Sequence, residues 1–170
     1  MSRALERLAA LWAIVGGAIL LLIVAVTVTN VAAFGLDRIA RLWGGTVSGL
    51  PGYEDFVALA MGAAAPMLLP YCQAKRGHLA VDLLMSAAPE AVRRAIDAVA
   101  LALTAAAALF LAYWMFFGML ETRDDGVLSR VLGWPEWPFY APGVLSLLLW
   151  AAVAIGQIGA LEPRDEADHG

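Results

Sequence analysis

The chain has 170 residues, of which 62% are hydrophobic and 15% charged, and its formal net charge is −4. Soluble domains are about half apolar and about a quarter charged, so this composition indicates a membrane protein. The negative net charge argues against nucleic-acid binding, and the single cysteine, Cys72, excludes an internal disulfide.

Four apolar segments dominate the chain, and each is close to the roughly 20 residues that a bilayer crossing needs. The predicted spans are residues 8–34, 56–72, 98–120 and 139–161, followed by a short acidic tail at 162–170. The alternating polarity of a β-barrel is absent. The sequence therefore predicts an all-α membrane protein whose four transmembrane helices form one domain over residues 1–161, with short interfacial helices in the loops.

The first span and the distribution of positive charge predict the orientation. A cleavable signal has an apolar core of only about 7–15 residues, so we expect this longer span to be retained. The side of the membrane that holds both termini and the loop after the second span carries seven Lys and Arg residues, and the opposite side carries four. Positive residues collect in cytoplasmic loops, so both termini are predicted to be cytoplasmic.

The two loops on the outer side carry structural signals of their own. Residues 36–43 predict a short helix lying on the outer face, and residues 44–52 predict a flexible turn. The second outer loop, residues 133–143, contains three prolines and is expected to be extended. Its aromatic residues are predicted interfacial anchors, because such rings settle at the lipid headgroups. They are Trp134, Trp137 and Tyr140.

A polar loop at residues 71–84 separates the second and third spans. Gly77 permits the chain to leave the second span, and Arg76 precedes it directly. His78 and Asp82 are four residues apart, so they would be neighbours on one face of a short interfacial helix. Judged on its residues alone, this loop predicts anchoring at the inner headgroup layer, with an ion pair inside the cluster.

The third span is expected to begin just after this loop. Pro89 and Glu90 suit the first turn of a helix, where a proline loses no hydrogen bond and an acid faces the positive end of the helix dipole. Arg93 and Arg94 follow and are predicted interfacial anchors at the headgroups.

The residue types in the polar loop give little support for catalysis or for binding of a metal or a haem. A hydrolase would need a nucleophile near His78 and Asp82, yet neither Ser86 nor Cys72 has the glycine-framed turn of a nucleophile elbow. A metal site would need more His or Cys ligands, and a haem would need an axial ligand inside a span. The sequence predicts no catalytic residue, no metal site and no bound cofactor, and hence no enzyme.

Polar groups inside the spans are few. Thr27, Thr29 and Asn30 lie near the outer end of the first span, and Gln157 lies near the end of the fourth. No charge is predicted at mid-depth, and no span has the pattern of two half-helices that builds a transporter's midplane site. These features favour a helper or scaffold subunit of a larger assembly.

Three groups of residues resemble the small membrane subunit of tripartite ATP-independent periplasmic (TRAP) transporters. The first is an acidic residue, Glu54, at the start of the second span. The second is the sequence AKRGHLAVDLL, in which Arg76, Gly77, His78 and Asp82 match the family's pattern. The third is WPEWPFYAPGVL before the fourth span.

The resemblance implies a function for these residues and for the chain. Glu54, Arg76, Gly77, His78 and Asp82 would form a structural motif for assembly. The chain would brace a large permease subunit, which would hold the sodium and substrate sites. A periplasmic binding protein would deliver a carboxylate or sulfonate, and uptake across the bacterial inner membrane would be driven by sodium.

Small residues within the spans predict helix contacts, because helices in lipid associate through close packing. They occur at Gly16 and Gly17, in residues 60–66 and in residues 103–112, and they would pack either within the bundle or against the partner. Two departures from the family pattern are the long outer loop at 35–52 and the lack of an arginine soon after Asn30.

A function from a different class is a small exporter that works alone as a homodimer. Glu54 would then be its proton-coupling acid, and flux by the purified chain alone would support it. The identity of the solute, the helices that contact the large subunit and the oligomeric state stay open at this point.

Overall fold

The computed structural model describes residues 3–75 and 89–161. Four helical segments in these ranges are long and apolar enough to cross a membrane, which confirms the predicted all-α membrane fold. The described residues contain five α-helices and two short 3₁₀ helices. They are α1 (Arg3–Ala40), a 3₁₀ helix (Arg41–Trp43), α2 (Tyr53–Met67), α3 (Leu69–Ala74), α4 (Glu90–Asp124), a second 3₁₀ helix (Trp137–Phe139) and α5 (Tyr140–Ile158).

Helix α1 runs well beyond the predicted first span. The segment 36–43, predicted as a separate helix on the outer face, instead continues α1 through Ala40 and ends in the 3₁₀ turn, so that prediction is wrong. No proline interrupts this stretch, and an i,i+4 ion pair between Arg41 and Asp37 supports the helical backbone. Gly44, with φ at 76°, ends the helix in the left-handed conformation that glycine tolerates best.

The loop after α1 has no regular secondary structure, yet it is tied to α1. The Leu50 N–H donates to Oδ1 of Asn30 at 2.8 Å, and the Val47 N–H donates to a carboxylate oxygen of Asp37 at 2.9 Å. Asn30 is only 1% exposed. We call this end of the molecule, opposite the start of α1 and the end of α5, the distal end.

The second span consists of α2 and α3, which are separated by Leu68 alone. Pro70 has no N–H to complete the helical bond to the residue four positions earlier, which is itself a proline, Pro66. Leu68 keeps helical angles (φ −82°, ψ −25°), so the backbone is not unwound there, and α2 and α3 together form one candidate span, Tyr53–Ala74. This one-residue break does not contradict the expectation from the sequence that no span consists of two half-helices.

The helices pack in a row. Helix α1 packs against α2 and α3, these pack against α5, and α5 makes the most extensive contact of all with α4. Helices α1 and α4 therefore lie at opposite ends of the row, and each keeps a broad apolar face exposed. This arrangement differs from a closed bundle, in which every helix would contact two neighbours.

Small residues mediate several of these contacts. A Cβ added to Gly16 would lie 2.8 Å from Cβ of Met67, so α1 and α2 approach closely there, whereas a Cβ on Gly17 would meet nothing within 4 Å. Three alanines in each of the two small-residue segments are buried within the chain. They are Ala60, Ala63 and Ala64 in α2 and Ala105, Ala108 and Ala112 in α4. These six alanines therefore pack within the chain, which is one of the two possibilities that the sequence left open for the small residues, the other being contact with the partner.

Candidate assembly site

The predicted assembly motif divides between two parts of the chain. Arg76, Gly77, His78 and Asp82 lie outside the described residues, and their role stays a prediction. The described chain reaches Lys75, whose ammonium group lies 5.7 Å from the centre of the Tyr71 ring, and it resumes at Pro89. Pro89 is the N-cap of α4.

The acidic residues at the start of α2 differ in what they contact. Glu54, the predicted motif residue, is exposed in the first turn of α2. Its neighbour Asp55 accepts two backbone hydrogen bonds at one carboxylate oxygen, from Val131 at 2.7 Å and from Leu132 at 3.1 Å. Asp55 therefore connects the start of α2 to the loop before α5, a role that the sequence did not reveal.

This loop forms a compact turn that we call the distal hairpin, residues 127–136. The Glu136 N–H donates to the carbonyl of Val127, and the Ser129 N–H donates to the carbonyl of Trp134. The hydroxyl of the buried Ser129 accepts a further bond from the Trp134 N–H. The prediction of an extended segment holds only in part, because after Glu136 the chain enters the 3₁₀ helix that leads into α5.

The hairpin also packs over the glycine that precedes α2. Gly52 has φ at 76°, and a Cβ on it would lie 2.6 Å from a methyl carbon of Leu132. A side chain at position 52 would thus be strained both by the backbone and by the hairpin. Gly52 and Asp55 together fix the hairpin against the distal end of α2.

A cleft of about 630 Å³ lies between α2 and α4, beside the hairpin. Its lining includes the charged residues Glu54, Asp55, Arg130 and Glu136, together with Gly62 of α2 and Met115 of α4. The cleft is therefore lined by both charged and apolar residues.

The predicted aromatic anchors lie at the distal end, where they also make contacts within the chain. Trp134 stacks on Phe139 with ring centres 6.4 Å apart, and the Arg123 guanidinium lies 5.4 Å from the centre of the Trp137 ring. Tyr140 lines the cleft. These rings thus brace the turn into α5, and their role as headgroup anchors stays a prediction.

The predicted basic anchors lie in the first turns of α4. Arg94 forms an i,i+4 ion pair with Glu90, and Arg93 is exposed. Because α4 begins at Glu90, both arginines precede the apolar stretch predicted to start at residue 98. That position is compatible with the headgroup level of the membrane, which remains a prediction for both residues.

Polar side chains within the spans contact one another. The Gln73 amide donates to Oε1 of Gln157 at 2.8 Å, and the Gln157 amide donates to the carbonyl of Gln73 at 2.9 Å. Trp12 donates its indole N–H to Ser146 Oγ at 2.8 Å, and this hydroxyl donates to the carbonyl of Pro142. These bonds connect α1 and α3 to α5. In the described ranges, every buried side-chain N or O atom has a hydrogen-bond partner.

Comparison with protein-family models gives a match to the DctQ component of tripartite ATP-independent periplasmic transporters over residues 45–161. The chain belongs to this family. The matched region begins in the loop after α1 and includes the distal hairpin, α2 to α5 and the predicted motif. Comparisons with curated proteins and with solved structures gave no match.

Membership in the DctQ family identifies the chain as the small membrane subunit of a TRAP transporter and as a component of a transporter, not an enzyme. The family implies association with a large permease subunit and a substrate-binding protein. The DctQ architecture seen here places its polar contacts between its own helices and leaves its apolar faces at the two ends of the row.

Proposed function

We propose that this chain is the stationary scaffold subunit of a sodium-coupled TRAP transporter that takes up an organic anion, a carboxylate or a sulfonate. Sodium and solute would bind to the large subunit, and this chain would enlarge and brace it in the bacterial inner membrane with both termini in the cytoplasm. The observation that carries the proposal is the pairing of polar groups within the spans, above all Gln73 with Gln157.

This pairing favours a scaffold for a physical reason. A transport pathway needs polar groups that can exchange their partners for an ion or a solute, and such groups are usually found at mid-depth. In the described ranges, the buried amides and hydroxyls already bond to each other and to backbone N–H and carbonyl groups. Their contribution is to hold helices together.

The apolar faces at the ends of the row are compatible with a bracing role. Helix α4 presents large side chains outward, including Phe110, Trp114 and Phe117, while three of its alanines, Ala105, Ala108 and Ala112, face inward. Aromatic rings supply a large contact area to lipid or to a neighbouring helix. The large subunit would pack against one of these faces.

Reconstitution of the complete system tests the proposal. Proteoliposomes would contain the large subunit with or without this chain, and the binding protein would present a labelled carboxylate or sulfonate. We expect uptake only with all three proteins and an inward sodium gradient, and no uptake when potassium replaces sodium. Uptake of equal rate without this chain would contradict the scaffold role.

The same liposome assay distinguishes the homodimeric exporter from the scaffold subunit. The chain would be reconstituted alone under a proton gradient, with Glu54→Gln as the matched variant. Proton-driven flux by the chain alone that is lost in Glu54→Gln would establish the exporter and overturn our proposal. We expect no flux from either.

The predicted motif in the polar loop has its own test. Arg76→Gln and Asp82→Asn are expected to lower co-purification with the large subunit, or uptake, without changing which solute is preferred. A changed solute preference in either variant would show that the loop takes part in selection and would contradict the assembly role.

Orientation can be measured by thiol labelling in intact cells. With the natural cysteine removed by Cys72→Ser, a cysteine at Ser48 is expected to react with a membrane-impermeant reagent from outside. A cysteine at Arg93 is expected to react only after permeabilisation. The reverse pattern would refute cytoplasmic termini.

A further inference from the structure

The cleft beside the distal hairpin follows one face of α2. Glu54, Ala58 and Gly62 are spaced by four, line the cleft and are exposed. Residues four apart lie one above another on a helix, so this stripe extends about 12 Å along α2. A Cβ added to Gly62 would meet nothing within 4 Å, so the cleft has free space beside this residue.

Beyond Gly62, helices α2 and α4 converge on α5 at Gly143. A Cβ added to Gly143 would overlap the methyl group of Met115, and it would lie 3.8 Å from Cγ of Pro66, one turn beyond Gly62. Met115 also lines the cleft. The cleft therefore extends from charged residues at the distal end to the level at which these three helices meet.

The lining of the cleft divides at the predicted membrane boundary. Its four charged residues lie outside the predicted spans 56–72, 98–120 and 139–161, whereas the small and aliphatic residues that α2 and α4 contribute lie inside them. The latter are Ala58, Leu59, Gly62 and Met115. A ligand that fits this cleft is therefore polar at the distal end and apolar where the cleft enters the hydrocarbon, as a phospholipid is.

The charges in the cleft favour one class of headgroup. Asp55 already accepts two backbone hydrogen bonds, but within the described ranges none of Glu54, Glu136 and Arg130 takes part in an ion pair. Two such carboxylates suit a cation that donates hydrogen bonds, and a guanidinium suits a phosphate. An anionic headgroup would bring no cation and would face more acids than bases.

We propose that the cleft binds one phospholipid with an ethanolamine headgroup. Its ammonium group donates hydrogen bonds to Glu54 and Glu136, Arg130 binds its phosphate, and an acyl chain lies along Gly62 and Met115. The cleft volume of about 630 Å³ is within the range of about 300–1,000 Å³ that is typical of small-molecule sites. This inference goes beyond the scaffold role, and neither depends on the other.

Native mass spectrometry tests the proposal on the full chain, purified alone and in complex with the large subunit. Delipidated samples would be titrated with phosphatidylethanolamine, phosphatidylcholine or phosphatidylglycerol that carry the same acyl chains. We expect the ethanolamine lipid to bind most tightly. The choline headgroup has a cation without an N–H donor, and the glycerol headgroup has no cation, so both lack the hydrogen bonds to the two carboxylates.

The double variant Glu54→Gln, Glu136→Gln tests the headgroup contacts. We expect it to bind the ethanolamine lipid about tenfold or more weakly than the parent, because it loses hydrogen bonds between charged groups. Glu121→Gln is the matched control, since Glu121 is an exposed acid at the distal end of α4 outside the cleft. It should bind this lipid as the parent does.

A second variant, Gly62→Leu, tests the apolar part of the cleft by placing a side chain in its free space. We expect several-fold weaker binding of the ethanolamine lipid. Gly35→Leu is the control, because Gly35 is also exposed on a helix and an added Cβ would meet nothing within 4 Å there. Equal binding by the two glycine variants would show that no acyl chain lies along Gly62.

Three further results would overturn the proposal. Equal affinity of the parent for the three lipids would mean that the charges select no headgroup. Unchanged affinity in the double glutamate variant would exclude Glu54 and Glu136 as the ammonium site. Selective binding by the chain alone that disappears in the complex would assign the cleft to a segment of the large subunit.

Discussion

The buried amide pair Gln73–Gln157 should contribute measurably to the stability of the membrane-embedded fold. Gln73 is 5% and Gln157 2% exposed, and two hydrogen bonds connect them. Interhelical hydrogen bonds in membranes contribute about 0.6 kcal/mol on average and at most about 1.7 kcal/mol. Gln157→Met keeps the volume of the side chain and removes both bonds, so it should lower the free energy of unfolding by about 1–3 kcal/mol.

A double-mutant cycle separates the two bonds. Gln73→Met removes the bond from its own amide to Gln157, but the carbonyl of Gln73 that accepts the second bond belongs to the backbone and is retained. The coupling energy of the cycle therefore reports one bond, about 0.6 kcal/mol and no more than about 1.7 kcal/mol. The long contact from the Trp150 indole to Gln73, at 3.4 Å, is lost with Gln73 and does not enter the coupling.

The measurement is reversible unfolding of the purified chain in mixed detergent–lipid micelles. Thr104→Val is the control, because this exposed hydroxyl bonds only to the carbonyl of Ala100 within its own helix. We expect its effect to be within about 0.5 kcal/mol, as for other surface substitutions. A Gln157→Met variant as stable as the parent would refute the view that this pair holds α3 to α5. A coupling energy of zero would refute the contribution of the bond between the two side chains.

Two further comparisons use neighbouring residues as controls. Gly16→Ala should be less stable than Gly17→Ala by about 1–3 kcal/mol in the same micelles. Both substitutions gain the same helix propensity, but only the first forces a Cβ against Met67. Equal stabilities of the two variants would contradict close packing of α1 and α2 at Gly16. Asp55→Ala should speed trypsin cleavage after Arg130 in the distal hairpin, whereas Glu54→Ala should not; equal cleavage rates in the two variants would show that Asp55 does not hold the hairpin.

The spans were predictable because they depend on composition along the chain. A run of about 20 apolar residues identifies a crossing whatever it packs against. The helix ends were predictable only where a residue acts locally: Pro89 is the N-cap of α4, and Gly44 ends the helical stretch that includes α1. Residues 36–43 were predicted as a separate helix on the outer face because the charges at 37, 38 and 41 end the apolar run, although an α-helix tolerates such charges at its surface and α1 continues through them.

The contacts that position the distal end could not be read from the sequence. Glu54 and Asp55 are adjacent acids at the same helix start, with the same local environment along the chain. Only the fold brings Val131, 76 residues away, to Asp55. The sequence also cannot show which of Gly16 and Gly17 faces α2, because this depends on the rotation of α1 about its axis.

Helix α1 shows why composition conceals assembly in a membrane chain. Nearly every residue from Leu8 to Phe34 is apolar, so hydropathy gives no preferred face. Only the structure identifies the packed face, through the buried residues Gly16, Ile23 and Asn30. Which residues of α1 are buried therefore depends on how the helix is rotated against α2 and α3, and hydropathy along the chain carries no record of that rotation.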